Sequence, residues 1–121
     1  MKYKITIVVG LFLLFIAYFL YHSLFLRVTI YNKCSTGINN VYVEYNGGVY
    51  KVSEIRVDHS ITFIPNINGE SSLVVKYTDS QKIRHEHSID VYIENGYTGT
   101  VSIFIFDNDL KHVDDVRAGL F

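Results

Sequence analysis

The sequence VYVEYNGGVYKV, residues 41–52, places a strand, a reversal and a second strand in consecutive positions. Val41, Val43 and Tyr45 alternate with Tyr42 and Glu44, and a period of two is typical of a strand with one buried face. The asparagine and two glycines that follow tolerate the positive φ angles that tight turns require. This stretch therefore predicts a β-hairpin.

The same alternation recurs along the chain, for example in residues 73–77 and 101–105, and turn-forming residues appear at intervals of about ten. We predict strands at residues 27–32, 40–45, 49–57, 60–64, 71–78, 83–93 and 98–106. About seven short strands predict an all-β fold, a small antiparallel β-sandwich spanning residues 27–121. The tail from residue 110 to 121 fits neither a strand nor a helix decisively.

The predicted sandwich resembles immunoglobulin-like and fibronectin-like domains in architecture. The Cys, Trp, Cys pattern of a true immunoglobulin domain is missing, because the chain has no Trp and Cys34 is its only cysteine. Residues 52–77, with a polar corner at residues 58–60, are similar to sandwich domains of small bacterial envelope proteins. Neither resemblance implies an activity.

A long apolar segment, ITIVVGLFLLFIAYFLYHSLFL at residues 5–26, precedes the predicted sandwich and contains no Asp, Glu, Lys or Arg. As an α-helix it would reach roughly 33 Å, enough to cross a hydrocarbon core of about 30 Å. Tyr3, Tyr18 and Tyr21 lie near its ends, where amphipathic rings favour the membrane interface. The segment predicts a single transmembrane helix in contact with lipid, preceded by residues 1–4.

Two alternatives to an anchor are a cleaved signal peptide and a buried core helix. The apolar run is longer than a signal peptide requires, and no pair of small residues two apart marks a cleavage site near residues 17 or 23. Lys2, Lys4 and the α-amine flank one end, against Arg27 and Lys33 at the other. This small bias predicts a cytoplasmic N-terminus and a C-terminal domain outside the cytoplasm.

The composition of residues 27–121 excludes some classes of function. Nine basic residues, eleven in the chain less Lys2 and Lys4, face twelve acidic ones, so the net charge is −3. A nucleic-acid-binding domain needs a basic surface, so we expect no nucleic-acid partner. No phosphate-binding loop, nucleophile elbow or zinc-protease motif is present, so we expect no catalytic residues, no cofactor and no enzymatic activity.

The sequence RHEHSID, residues 84–90, contains the best candidate for metal binding. His85 and His87 are alternate residues of a predicted strand, so both imidazoles point to one face at a separation that one metal ion can bridge. Apolar residues share this face, and no third ligand can be assigned. The acidic residues at 107–109 and 114–115 suggest calcium, but the spacing does not fit an EF-hand.

Seven of the ten tyrosines lie after the apolar segment. Tyrosine is enriched at recognition surfaces, because it combines a large area with few rotatable bonds and a polar tip. Tyr42 and Tyr92 fall opposite the apolar stripes, so we expect them on an exposed interaction surface.

These observations predict a membrane-anchored, non-catalytic module that binds another membrane or envelope protein, in an accessory, immunity or exclusion role. The alternative is a metal-binding or metal-sensing envelope protein that uses His85 and His87.

Overall fold

A computed structural model describes residues 2–118, with no description of the side chains of residues 21–24. Within these residues the chain forms one helix and eight strands. Their bounds are α1 Lys2–Leu24, β1 Leu26–Asn32, β2 Ile38–Tyr45, β3 Gly48–Ile55, β4 Ser60–Phe63, β5 Glu70–Thr78, β6 Arg84–Glu94, β7 Thr98–Ile105 and β8 Leu110–Arg117.

The strands form two four-stranded sheets, which confirms the predicted β-sandwich. Sheet A has the order β4-β1-β7-β8, and sheet B has the order β3-β2-β5-β6. The predicted hairpin is present, with Tyr45 paired to Gly48 across the turn. Neighbouring strands are antiparallel except β1 and β7, which run parallel from Leu26 opposite Gly99.

The core lies between the sheets and is built from alternate residues of each strand. Burial follows a strict period of two in β1 and through most of β5, β6 and β7. Burying one large aliphatic side chain contributes about 1.5–3 kcal/mol, so these stripes supply most of the drive to fold. The largest fully buried side chains are those of Ile30, Ile38, Ile55, Leu73, Ile89, Ile93, Ile103, Ile105, Val28, Val41, Val43 and Val75.

Asn32, at the end of β1, is the buried polar side chain among the described residues. Its Nδ2 donates to the carbonyl oxygens of Ile55 at 2.9 Å and Thr36 at 3.0 Å, and its Oδ1 accepts from the backbone N–H of Cys34 at 2.9 Å. One side chain therefore ties β1 to the following loop and to the end of β3.

Three local predictions differ from the structure. The expected helix ended at Leu26, but α1 ends at Leu24 and Leu26 is a buried residue of β1. The strand predicted at residues 49–57 ends at Ile55, because Asp58 adopts a positive φ of 60° in the turn that follows. The undecided tail contains the eighth strand, which pairs with β7 from Ile105–Leu110 to Thr98–Arg117.

The sandwich has two ends, which are named here by their relation to α1. The helix-side end comprises residues 25–26, 45–48, 63–70 and 94–98, and the far end comprises residues 32–38, 55–60, 78–84 and 105–110. β1 begins at the helix-side end one residue after α1, so no flexible linker separates the two.

The helix α1 is long and apolar enough, over Lys2–Leu20, to cross a membrane. None of this stretch is buried against the sandwich, whereas a core helix would be largely covered. The alternative of a buried core helix therefore does not fit the structure.

Candidate functional site

His85 and His87 lie on the inner side of β6, the edge strand of sheet B, and both are half-buried. Their rings are nearly parallel, with centroids 6.3 Å apart and planes inclined by 4°. The buried ring of Tyr77, opposite His85 on β5, stacks at 4.9 Å from His85 and 5.9 Å from His87. The alternation in the sequence thus placed both imidazoles correctly on one face.

The hydrogen bond of His85 goes to the β5–β6 hairpin. Its Nε2 lies 2.7 Å from Oδ2 of Asp79, while Oδ1 of Asp79 accepts from the backbone N–H groups of Gln81 and Ile83, both at 2.9 Å. The hydrogen bond with His85 holds the pKa of Asp79 below its ordinary value. His85 and Asp79 therefore close the β5–β6 hairpin, and this hydrogen-bonded pair is called the clasp below.

No third metal ligand joins the histidine pair in the described part of the chain. Among the described side chains, which exclude those of residues 21–24, no group of three His, Cys, Asp or Glu is arranged to hold a metal ion. His112 pairs instead with Asp114 on β8 at 3.0 Å, and the nearby Asp109 accepts from a backbone N–H in the β7–β8 turn. Metal binding by His85 and His87 stays a prediction, testable by zinc titration of the full chain and its His87→Ala variant.

Cys34 lies in a cleft at the far end, with a volume of about 370 Å³, which His85 and Asp79 also line. Its thiol is buried and 3.5 Å from the carbonyl oxygen of Ile105. Burial, with the charges of Asp107 and Asp79, raises the pKa of the thiol. Because the thiolate is the nucleophile, this environment opposes cysteine catalysis. The geometry favours a structural thiol.

Tyr42 lies on the outer face of sheet B, between two cations. Lys51 Nζ is 5.3 Å from its ring centroid and Arg84 Cζ is 4.9 Å from it, within the range of cation–π contact. Arg84 is held in place, because its Nη1 donates to the carbonyl oxygen of Asn40 at 2.8 Å and to Oγ1 of Thr78 at 3.0 Å. Tyr42, Lys51 and Arg84 are called the Tyr42 patch below.

Tyr92 lies on the same outer face, near the helix-side end, and is 55% exposed. Its hydroxyl donates to the carboxylate of Glu94, and this hydrogen bond raises the pKa of the phenol. Tyr42 on β2 lies opposite Lys76 on β5, and Lys76 lies opposite Glu86 on β6. Glu86 is six residues from Tyr92 along β6. At about 3.3 Å per residue, Tyr92 is about 20 Å from the Tyr42 patch, so the two predicted tyrosines do not form one cluster.

The outer face of sheet A carries an aromatic pair that sequence reasoning did not single out. Tyr31 on β1 and Phe104 on β7 stack with centroids 4.7 Å apart and planes inclined by 9°. The alternation of residues 101–106 predicts that Phe104 points outward. Its contact with Tyr31 depends on the parallel register of β1 and β7, which local periodicity does not reveal. Lys111, the partner of Phe104 on β8, extends over Phe106 instead.

No family model matches the chain, and no curated protein matches it. Among solved structures, an NMR structure of a protein from Eubacterium rectale is similar, with a TM-score of 0.57 and 16% sequence identity. The similarity covers 80% of this chain and 92% of that chain. At this level of identity the match supports the sandwich fold and carries no information on function.

Proposed function

We propose that the protein is a non-catalytic binding module, held at the outer face of a membrane by α1, which contacts another membrane or envelope protein through the Tyr42 patch. The observation that carries this proposal is the pair of cations around an aromatic ring on a sheet face, one of which, Arg84, is held by two hydrogen bonds. The apolar helix, none of which is buried over Lys2–Leu20, is joined to the sandwich through one residue and supports the membrane location.

The Tyr42 patch has the composition of an interaction hot spot. Tyrosine and arginine are enriched among residues that dominate binding energy, and side chains ordered before binding lose less entropy when the complex forms. Arg84 is ordered by its two hydrogen bonds, and the Tyr42 ring is half-buried beneath Arg84 and Lys51. Two cations beside one ring favour a partner that presents carboxylates.

The ion pairs beside the patch leave its two cations available. Lys76, on the neighbouring strand, donates to Glu44 at 2.9 Å and lies 3.9 Å from Glu86. The hydrogen bond to Glu44 raises the pKa of Lys76. Glu44 and Glu86 are therefore engaged with Lys76, and no ion pair is described for Arg84 or Lys51, which leaves both cations for an incoming acidic group.

Site-specific photocrosslinking in native membranes tests this proposal. A crosslinking amino acid at Val49, on the outer face of β3 beside Lys51, should capture a defined membrane or envelope protein. The matched control is Val113, an exposed valine on the outer face of sheet A. Because truncating a hot-spot residue costs more than 1 kcal/mol, Tyr42→Ala and Arg84→Ala should each weaken capture at least about fivefold.

Capture at Val113 alone would place the contact on the other face, and capture at neither position would refute the binding role. Protease treatment of intact cells tests orientation separately. Trypsin added outside should cleave at the exposed Arg56 of the far end, whereas protection of that residue until the membrane is opened would reverse the proposed topology.

A further inference from the structure

The helix-side end of the sandwich contains a shallow cleft with a volume of about 300 Å³. Three chain segments meet there: the start of β1 just after α1, the end of β4 and the turn before β7. Two large apolar side chains are exposed at its border, Phe25 by 42% and Ile64 by 40%. Tyr97 lines the same cleft.

This end carries little charge and is held firmly. Glu94 is the one charged residue among the described residues that line the cleft, and its carboxylate accepts the hydrogen bond from Tyr92. Backbone hydrogen bonds fix the surrounding turns, from Asn95 N–H to the carbonyl oxygen of Gly69 and from Tyr97 N–H to that of Glu94, both near 3 Å. These bonds hold in place the turn that carries Tyr97 beside the cleft.

The length of α1 sets the depth of this end. A helix from Ile5 to Leu24 rises about 30 Å, the thickness of the hydrocarbon core, so Phe25 emerges at the far interface. The headgroup layer there is about 5–7 Å thick, and aromatic residues favour that layer. Phe25 lines the cleft directly, which keeps the cleft within this layer.

We infer that the helix-side end docks on the lipid of the leaflet from which α1 emerges, with Phe25, Ile64 and Tyr97 in the headgroup and upper acyl region. This inference rests on the proposed membrane anchor. Docking of this end orients the strands roughly along the membrane normal. The far end then points away from the bilayer, and the outer faces of both sheets are exposed to solvent. The contact depends on apolar burial, so it requires no anionic lipid.

Tryptophan fluorescence tests the docking, because the chain contains no natural Trp. Full-length Ile64→Trp is reconstituted in phosphatidylcholine vesicles that contain lipids with a nitroxide near the headgroup. The matched control is Val57→Trp, since Val57 has the same 40% exposure but lies at the far end. Phe12→Trp, inside α1, reports on the anchor itself.

We expect blue-shifted emission and strong quenching at residue 64, and water-exposed, unquenched emission at residue 57. Blue-shifted emission at Phe12→Trp without quenching at residue 64 would overturn the docking and leave the anchor intact. Water-exposed emission at Phe12→Trp would overturn the anchor and the docking together. Equal quenching at residues 64 and 57 would also overturn the upright arrangement. Phe25→Trp serves as a second reporter if Ile64→Trp misfolds.

Discussion

Replacing Asn32 by alanine should destabilise the sandwich severely, because its fully buried side chain makes three hydrogen bonds to backbone groups. The substitution leaves the carbonyl oxygen of Ile55 and the N–H of Cys34 buried without these partners. Each unsatisfied buried group costs about 1–3 kcal/mol. For the two groups we therefore expect a loss of about 2–6 kcal/mol, a large share of the roughly 5–15 kcal/mol that stabilises a typical domain.

The measurement is urea denaturation of the full-length protein in detergent micelles, followed by the circular dichroism of the β-sheets. Asn39→Ala, at an exposed position of β2, is the matched control and should change the free energy of unfolding by less than about 0.5 kcal/mol. Asn32→Asp preserves the size but directs a carboxylate at two carbonyl oxygens, so it should be at least as damaging. A loss below about 1 kcal/mol in Asn32→Ala would refute the role assigned to this residue.

Gly99 has a φ of 106°, and an added Cβ would collide with the carbonyl oxygen of Asp115. Gly99→Ala should therefore destabilise the sandwich by more than the roughly 1–3 kcal/mol that backbone strain alone costs. Thermal denaturation measures this loss of stability. Cys34 should react slowly with a thiol reagent in the folded chain and rapidly in urea, since burial raises its pKa. The pKa of Asp79 is lowered from its ordinary value of 3.8, so the ionised carboxylate stabilises the fold when the pH is above 3.8. This stabilisation is lost progressively as the pH falls below 3.8. Asp79→Asn should therefore lose less stability than the unsubstituted chain as the pH falls below 3.8, and an unchanged profile would contradict the clasp.

The sequence predicted most strands because their buried faces are aliphatic at every second position. β8 escaped this reasoning, since His112 and the exposed Val113 blur its alternation. The pairing of β1 with β7 is also invisible to local pattern, because it joins Leu26 to Gly99 across most of the chain. Periodicity reports which side of a strand is buried, whereas strand order depends on contacts between distant residues.

The candidate sites show the same limit at the level of single side chains. Alternation placed His85 and His87 together, but the partner of His85 is Asp79, whose position depends on the turn that its own carboxylate organises. Likewise Tyr42 was predicted to be exposed, but it is half-covered because Arg84 reaches it from β6. The type of a residue indicates which interactions its side chain can make. Contacts from neighbouring strands determine whether that side chain is already engaged. His85 closes the hairpin through Asp79, and the cations around Tyr42 are the basis of the proposed recognition.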